Sequence, residues 1–319
     1  MSETATTDAP IWLGPWWEMP EYTEGEIILP GQSCLIGEDR EVLEDIGRKV
    51  DEGKIEIPAM PKAAMEAAKL LRNPEPEIEE VARCIELDPA MAAWLLRHAN
   101  SALYGARFPI DSVSRAVAHL GLRRLKGVIL ELAMKRLSDD VGSRPWAERE
   151  WTYAIYCATI ARELGKMFNL DEDMCYLAGL LHDVGRLLAL RELEVRGRLK
   201  EGPSSTAADD IIMECLHRCI GSRMAKKWDL PPAIADAISF HLSAKLPGEQ
   251  SPAKFPSTLA TEAASDLCLA LGLGRDRMPC DALHLPSMLE LGFTPESLKQ
   301  FYKDRLADVI EQAKSCFVG

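Results

Sequence analysis

The amino-acid sequence predicts an all-α fold that consists of two helical subdomains. Apolar residues recur at spacings of three and four along most of the chain, as at Val42, Ile46 and Val50, which is the period of an amphipathic helix. The composition agrees, because Ala, Leu, Glu and Arg are abundant and β-branched residues are sparse. No segment shows a sustained alternation of apolar and polar residues or a hairpin turn, so no strand is predicted.

The first 38 residues are predicted to form an irregular arm instead of a helix. They show little periodicity, and Pro and Gly residues lie among Trp12, Trp16 and Trp17. Three tryptophans this close together would leave a large apolar patch in water if the arm were free. We therefore expect residues 1–38 to dock on the helical body, with docking on a partner as the alternative.

Residues 39–138 are predicted to form the first helical subdomain. Its first helix ends at Gly53, and the two prolines of Ile57–Pro61 form a rigid loop before the next helix. A later helix begins at Asp88-Pro89, because this pair is typical of an N-cap followed by proline at the first helical position.

Two helices separated by a glycine complete this subdomain. Asp111 is predicted to cap a short helix that ends at Gly121, and a longer helix continues to Leu137. The polar stretch Asp139–Pro145 contains Gly and Pro, which indicates a boundary with the next subdomain.

Residues 139–272 are predicted to form the second helical subdomain, and residues 273–319 a helical extension. In the subdomain, Asp171 is predicted to cap one helix that continues unbroken to Leu188. In the extension, Thr294 is followed by proline and begins the last predicted helix.

The charge distribution argues against a nucleic-acid-binding protein. The chain of 319 residues has 37 Lys and Arg against 50 Asp and Glu, which gives a net charge of −13. The segment Arg107–Arg136 is an exception, because seven basic residues oppose two acidic ones, a local net charge of +5. Charges on amphipathic helices usually form a solvated face, so we do not expect nucleic acid as a partner.

No targeting or membrane-spanning segment is predicted. The first ten residues are polar and lack the charged start and apolar core of a signal peptide. No stretch reaches the roughly 18 consecutive apolar residues of a membrane-spanning helix. The nine cysteines are odd in number and lack zinc-finger spacing. We therefore expect a reduced, cytoplasmic protein that does not associate with a membrane.

A histidine–aspartate pair, His182 and Asp183, stands out from the apolar background of the second subdomain. Burying an imidazole beside a carboxylate costs several kcal/mol unless both groups are paired or bind a cation. Both groups suit borderline divalent metals, and His217, His241 and Asp266 follow on later predicted helices. The alternative is a hydrogen-bonded core pair without a metal. Three other histidines are interpreted as core residues of this kind: His98, His119 and His284.

The motif His182-Asp183-Val184-Gly185-Arg186 resembles the central motif of the HD superfamily of metal-dependent phosphohydrolases. More specifically, the chain resembles the HDOD family, the HD-related output domains of bacterial signalling proteins. This resemblance extends from about residue 55 to residue 272, and these segments carry it: Ile57–Pro61, Asp88-Pro89, Leu96–Gly105, Ser114–Val117, Leu120-Gly121, Trp228–Pro231 and His241. It implies that the second subdomain is an HD-like helical bundle.

The resemblance also implies a metal site and a defect in that site. It assigns remnant ligand positions to His182, Asp183, His217, His241 and Asp266, with the register of the aspartate open to two alignments. The family's enzymatic relatives carry a histidine two residues after a tryptophan on the preceding helix, where this chain has Tyr153. A neutral phenol, with a pKa of about 10, is a poor ligand for a divalent metal. We therefore expect a weak or vacant site, and no cofactor other than a loosely bound divalent metal.

The resemblance and the tyrosine favour a non-catalytic regulatory or output module in bacterial signal transduction. Such a module acts through contacts with signalling protein partners, with a ligand in the remnant pocket as a further option. The alternative is a metal-dependent phosphohydrolase that acts on a nucleotide or a cyclic dinucleotide. In that case His182, Asp183, His217 and Asp266 would hold a metal that activates water.

Overall fold

The structure, a computed structural model of the chain, is helical throughout the part that it describes. It describes seven segments: residues 35–70, 76–101, 104–142, 144–199, 207–241, 255–275 and 284–315. No strand occurs in these segments, which confirms the all-α prediction. No helix in them combines the length and the apolar composition that crossing a membrane requires. The tryptophans of the predicted arm, Trp12, Trp16 and Trp17, lie outside the described residues.

Five helices lie in the described chain before residue 143. They are α1 (Glu38–Asp51), α2 (Lys62–Leu70), α3 (Ile78–Glu86), α4 (Pro89–Ala99) and α5 (Val113–Asp139). The carboxylate of Asp88 caps α4 as predicted, because it accepts hydrogen bonds from the N–H groups of Ala90 at 3.0 Å and Met91 at 3.1 Å. The predicted interruption at Gly121 is also present, since this residue adopts φ 72° and ψ 158° within α5.

The predicted cap at Asp111 is wrong by one residue. The hydroxyl of Ser112 caps α5 and accepts a hydrogen bond from the N–H of Arg115 at 3.4 Å. The carboxylate of Asp111 pairs instead with the guanidinium of Arg115 at 2.7 Å. Both residue types are good caps, so the sequence alone does not decide between them.

Nine helices lie in the described chain after residue 143. They are α6 (Arg144–Met167), α7 (Glu172–Leu181), α8 (Val184–Val195), α9 (Ala207–Lys227), α10 (Pro232–Phe240), α11 (Pro256–Leu271), α12 (Pro286–Leu291), α13 (Pro295–Asp304) and α14 (Leu306–Ser315). Helices α6 and α7 form the centre of this part, because α6 packs against α5, α8, α11 and α14 while α7 packs against α10 and α11. A Cβ atom on Gly179 would lie only 2.8 Å from the carbonyl oxygen of Cys157, so glycine allows α6 and α7 to pack this closely.

The unbroken helix predicted from Asp171 to Leu188 is wrong, because two helices occupy this range. Helix α7 ends at Leu181, and Asp183 adopts φ −105° and ψ 13° before α8 begins. Apolar residues continue on both sides of this break, so the periodicity does not reveal it. The break lies at the histidine–aspartate pair and gives the two side chains directions that one continuous helix would not allow.

Helix α5 joins the two predicted subdomains. It packs against α2, α3 and α4 on one side and against α6, α7 and α8 on the other. The extension also packs on the body, since α12 contacts α11 and α14 contacts α6. The boundaries at residues 138 and 272 stay predictions.

Carboxylates pair with most of the basic residues of the segment Arg107–Arg136, which begins before α5 and continues through it. Five of its seven basic residues form ion pairs: Arg115 with Asp111, Arg123 with Asp171, Arg124 with Glu172, Lys135 with Asp139, and Arg136 with Asp88. The local excess of positive charge in the sequence is therefore smaller on the folded surface.

Candidate functional site

Four predicted ligand residues converge in the interior of the bundle. His182 follows the last residue of α7, Asp183 precedes α8, His217 lies on α9, and His241 follows α10. One carboxylate oxygen of Asp183, Oδ1, lies 3.2 Å from Nε2 of His241 and 3.4 Å from Nε2 of His217. The other oxygen, Oδ2, lies 3.6 Å from Nε2 of His182. All four side chains are buried, so the cluster is shielded from solvent.

The close packing of α8 on α9 fixes the distance between Asp183 and His217. A Cβ atom on Gly185 would lie 1.8 Å from the carbonyl oxygen of His217 and 2.8 Å from the backbone nitrogen of Gly221. No side chain larger than hydrogen fits there, so the glycine of the motif allows the two helices to pack at this separation.

The three histidines turn their Nε2 atoms toward the carboxylate. Each Nδ1 atom faces a backbone carbonyl, which can only accept a hydrogen bond, so Nδ1 carries the proton in the neutral rings of His182 and His217. The three contacts are His182 to Gly179 at 2.7 Å, His217 to Glu214 at 2.7 Å, and His241 to Ala237 at 2.9 Å. Metal-binding histidines are oriented by contacts of this kind.

The electrostatic environment keeps this cluster in the form that a metal would need. Burial lowers the pKa of His182 to about 3 and the pKa of His217 to about 4, so both rings are neutral at pH 7. Burial opposes ionisation of Asp183, but Arg275 and the neighbouring histidines hold the pKa of its carboxyl well below the usual value.

Arg275 occupies one side of the cluster and was not predicted from the sequence. Its Nη1 atom lies 2.6 Å from Oδ2 of Asp183, and its guanidinium also pairs with Glu150. The Cζ atom lies 3.7 Å from the centre of the Tyr153 ring, which is a cation–π contact. The hydroxyl of Tyr153 forms a hydrogen bond with the hydroxyl of Ser265 at 2.7 Å. A fixed cation therefore lies beside the carboxylate, on the side of the tyrosine.

Gly274 brings this arginine into the pocket. It adopts φ 80°, and a Cβ atom at this position would lie 2.6 Å from both N and Cα of Tyr153. The loop after α11 therefore crosses directly over the backbone of α6, which only glycine permits. Arg275 follows immediately and enters between Tyr153 and Asp183.

Buried carboxylates and guanidinium groups pair with one another around the pocket. Glu150 and Asp183 supply two carboxylates, and Arg186 and Arg275 supply two guanidinium groups. Arg186 donates hydrogen bonds to Glu150 at 3.2 Å and to Glu214 at 2.8 Å. Burial opposes ionisation of Glu150, but Arg186 and Arg275 hold the pKa of this carboxyl below its usual value. Cations of the chain therefore already pair with Glu150 and Asp183.

Asp266, the fifth predicted ligand, lies near His241 but outside the tightest group of ligand atoms. The ligand atoms of His182, Asp183 and His241 all lie within 4.8 Å of one another, and Asp266 does not belong to this group. The carboxylate of Asp266 accepts a hydrogen bond from Ser287 on α12. Burial raises the pKa of Asp266 to about 6.

The residues of the cluster fit one divalent metal ion. Nε2 of His182, Nε2 of His217 and Oδ1 of Asp183 are buried and lack hydrogen-bond partners among the described residues. Imidazole nitrogen and carboxylate oxygen together suit zinc, iron or manganese. A second ion would have a poorer set of ligands. Burial raises the pKa of Tyr153 well above its usual value and keeps the phenol neutral, and a neutral phenol is a weak metal ligand.

A sequence model of the HDOD domain matches residues 57–244, which is more than half of the chain. The chain belongs to the HDOD family. The match confirms the predicted family and includes His182, Asp183, His217 and His241, but it ends before Arg275.

Solved structures with the same fold include HDOD and phosphohydrolase-like proteins. A protein from Shewanella amazonensis, provisionally named a metal-dependent phosphohydrolase, has a TM-score of 0.70 at 22% identity and covers 88% of this chain and 99% of its own. An HDOD domain protein of unknown function from Geobacter sulfurreducens has a TM-score of 0.65 at 22% identity, with 88% and 98% covered. A protein from Marinobacter aquaeolei, provisionally named a signal transduction protein, has a TM-score of 0.57 at 21% identity, with 92% and 66% covered. These similarities show that the HDOD chain shares their helical fold.

A curated relative is longer than this HDOD chain. An uncharacterized protein from Treponema pallidum is 23% identical over 232 residues, which cover 69% of this chain and 44% of the relative. The match therefore spans less than half of that protein's length.

The HDOD pocket extends beyond the predicted subdomain that contains its motif. Arg275 belongs by sequence to the predicted extension 273–319, yet it contacts Asp183 directly. Two glycines flank Leu273 just before it, and such a pair indicates a close backbone approach. Nothing in that pattern shows which carboxylate the arginine reaches.

Proposed function

We propose that this HDOD chain is a non-catalytic regulatory module of bacterial signal transduction that acts through contacts with a signalling protein partner. The contact between Arg275 and Asp183 carries the proposal, because a guanidinium lies against the carboxylate that would hold a catalytic metal. A guanidinium neutralises a carboxylate but does not lower the pKa of a bound water, as a metal does.

The replacement of the first ligand supports the same proposal. The hydroxyl of Tyr153 bonds to Ser265, and the face of its ring is covered by Arg275. Hydrolysis by two metals needs ligands that hold the ions about 3.5–4 Å apart. At this position the chain offers a neutral phenol and a cation, so the second ion lacks a ligand.

The internal connections of the fold are suited to a module that responds to a partner. The buried charges link α6, α8, α9 and the loop that carries Arg275. Helix α5 connects the helices around this network with the first subdomain. Movement of the loop would therefore change contacts in several helices together. The signal transduction name of the Marinobacter aquaeolei structure is consistent with such a role.

A second candidate function is metal-dependent phosphohydrolysis of a nucleotide or cyclic dinucleotide. The unpaired Nε2 atoms of His182 and His217 favour it, because buried groups without partners are typical of ligand sites. His182, Asp183 and His241 would hold the ion, with His217 beside them. A metal bound there would supply a Lewis acid for activating water.

A hydrolysis assay and the phenotype of a mutant allele distinguish the two proposed functions. We expect the purified full chain to hydrolyse neither cyclic dinucleotides, nucleotides nor a generic phosphodiester with manganese or iron added, beyond the rate of a His182→Ala control. In the native bacterium, a His217→Gln allele should retain the phenotype of the wild-type gene, while deletion loses it. Metal-dependent turnover that His182→Ala abolishes, together with loss of function in the His217→Gln allele, would establish the hydrolase instead.

A further inference from the structure

A second pocket lies beside the start of α7, and no residue of the histidine cluster lines it. It encloses about 720 Å³ between the loop Ile57–Pro61, α2, α5, the start of α7 and the turn Trp228–Pro231. The indole N–H of Trp228 donates to the carbonyl of Pro58 at 3.0 Å, and the amine of Lys227 donates to the carbonyl of Ile57 at 2.6 Å. These bonds hold the two loops together, so the pocket is a fixed feature of the fold.

The floor of this pocket is apolar and rich in methionine. Its apolar lining includes these residues: Met60, Met65, Leu130, Met174, Leu177 and Leu230. Met65 is 41% exposed, which is unusual for a large apolar side chain. Methionines adapt to irregular partners and are common at surfaces that bind apolar segments. The floor therefore suits large apolar or aromatic side chains.

The rim of the pocket carries available positive charge. Four cations and three carboxylates line it, and two of the carboxylates, Asp171 and Asp173, pair with Arg123. Lys69 and Lys126 are exposed and have no carboxylate partner among the described residues. An occupant with aromatic side chains and carboxylates would complement both the floor and the rim.

The sequence before residue 35 contains both the aromatic and the acidic residues that such an occupant needs. Residues 1–34 contain six acidic residues and no Lys or Arg, in addition to Trp12, Trp16 and Trp17. Three carboxylates, Glu18, Glu21 and Glu24, follow the tryptophans closely.

Residue 35, where the described chain begins, lies close enough to the pocket for residues 1–34 to reach it. Arg198 pairs with Asp39 near the start of α1 and with Asp209 near the start of α9, at 2.5 Å in the second case. Asp51 at the end of α1 lies 4.0 Å from Arg223 near the end of α9. The two helices therefore run side by side, and residue 35 lies beside the start of α9.

The distance from the start of α9 to the pocket is short compared with the length of the segment when it is extended. The 18 residues from Asp209 to Lys227 span about 27 Å along α9. The 18 residues from Trp17 to Leu35 span up to about 60 Å when extended. The tryptophans can therefore reach the pocket, which lies at the end of α9.

We propose that the acidic tryptophan segment within residues 1–34 occupies this pocket in the same chain. The indole rings contact the methionine-rich floor, and the glutamates that follow lie beside Lys69 and Lys126. This occupant covers the apolar surface of the pocket and keeps it from other proteins. The assignment is independent of the regulatory function proposed above, because it uses no residue of the histidine cluster.

Zero-length carbodiimide cross-linking of the full chain tests this contact directly. An equal mixture of ¹⁵N-labelled and unlabelled protein is cross-linked at low concentration and analysed by mass spectrometry. We expect cross-links from Glu18, Glu21 or Glu24 to Lys69 or Lys126 within one isotopic copy, at least tenfold more often than to the exposed Lys303 on α13. Cross-links that join the two isotopic copies, or equal yields at Lys303, would overturn the proposal.

Hydrogen exchange gives a second measurement that does not depend on amine reactivity. The full-length variant W12A/W16A/W17A should exchange amides of α2 and of residues 228–230 at least tenfold faster than the wild-type chain. Amides of α13 serve as the internal control and should keep their rates. Unchanged exchange at the pocket in this variant would contradict the proposed occupancy, whatever the cross-linking yields.

Discussion

Arg275 and a divalent metal would compete for the charge of one carboxylate, that of Asp183. The guanidinium lies 2.6 Å from Oδ2 of Asp183, and it also satisfies Glu150 behind the tyrosine. Removing one partner of a buried ion pair typically costs about 3–5 kcal/mol, because the other charge stays buried without compensation. The arginine therefore contributes to stability and to the charge balance of the pocket at the same time.

The substitution Arg275→Ala should lower the stability of the fold and raise its affinity for a metal. We expect the free energy of unfolding to fall by about 3 kcal/mol, since Asp183 and Glu150 lose a shared cation. Binding of Zn²⁺ or Mn²⁺ should become at least about tenfold tighter, which corresponds to about 1.4 kcal/mol. Isothermal titration calorimetry with the metal and urea unfolding measure the two effects.

Arg191→Ala is a matched control for this substitution. Arg191 lies on α8, is 37% exposed at its side chain and pairs with Glu56 at 3.7 Å. Because an exposed pair contributes about 0–1 kcal/mol, this variant should change neither stability nor metal affinity appreciably. Equal metal affinity in Arg275→Ala and wild type would show that the guanidinium does not compete for the site.

Gly274→Ala should displace the same arginine without removing its charge. The added Cβ would lie 2.6 Å from the backbone of Tyr153, in addition to the strain of φ 80°. Gly197→Ala has a similar φ of 70° but nothing within 4 Å of the new Cβ, so it reports the strain alone. We expect a clearly larger drop in melting temperature for Gly274→Ala; similar drops in both variants would mean that the close approach is unimportant.

At the scale of helices, a buried histidine–glutamate pair joins α4, α5 and α7. Nε2 of His98 lies 2.6 Å from Glu131, and the hydroxyl of Tyr176 donates to the same carboxylate at 2.9 Å. Nδ1 of His98 lies 3.0 Å from the carbonyl of Trp94, so both ring nitrogens face acceptors. The prediction that His98 is a hydrogen-bonded core residue is confirmed, and the protonated ring suits both contacts. The same prediction is wrong for His119 and His284, which are exposed.

This pair should make the stability of the fold depend on pH. Burial opposes the charged ring, but Glu131 raises the pKa of His98 above its usual value of about 6.5. A raised folded pKa stabilises the fold fully below the unfolded pKa, and that contribution is lost as pH rises through the folded pKa. We expect urea unfolding to show a loss of about 1–3 kcal/mol as the pH rises from about 6 to 9.

His98→Gln should remove this pH dependence, because glutamine does not titrate. His119→Gln is the control, since His119 is exposed and its Nε2 atom lies 3.0 Å from the carbonyl oxygen of Tyr104. The same pH profile in His98→Gln and wild type would assign the dependence to other groups.

At the scale of the whole molecule, α5 packs against helices of both predicted subdomains. Residues of one helix pack against helices of both halves, so unfolding of either half exposes part of the other. We expect a single unfolding transition, in which near-ultraviolet and far-ultraviolet circular dichroism change together. Two separated transitions would mean that the predicted boundary near residue 138 divides independent folding units.

Much of this fold follows from local signals in the sequence. The apolar period predicts the helices, and Asp88 and Gly121 mark two of their boundaries as the structure has them. The motif around His182 and Asp183 identifies the cluster because its chemistry is carried by neighbouring residues. Local patterns of this kind are readable in a single sequence.

The remaining features depend on contacts between distant parts of the chain. Arg275 reaches Asp183 across a fold that separates them by several helices, and no periodicity connects the two positions. The break between α7 and α8 lies in a continuous apolar stretch, and packing of Gly185 on α9 accompanies it. Tertiary contacts decide such features, so they become visible only in the folded chain.

Because Arg275 lies in the pocket, the folded state should not depend on the supply of metal in the cell. A cation that belongs to the chain is present at one copy per pocket and is not diluted when free metal becomes scarce. A protein that depends on iron or manganese for its charge balance loses that balance during metal limitation. Because Arg275 already neutralises Asp183, this protein should keep its folded state through metal starvation.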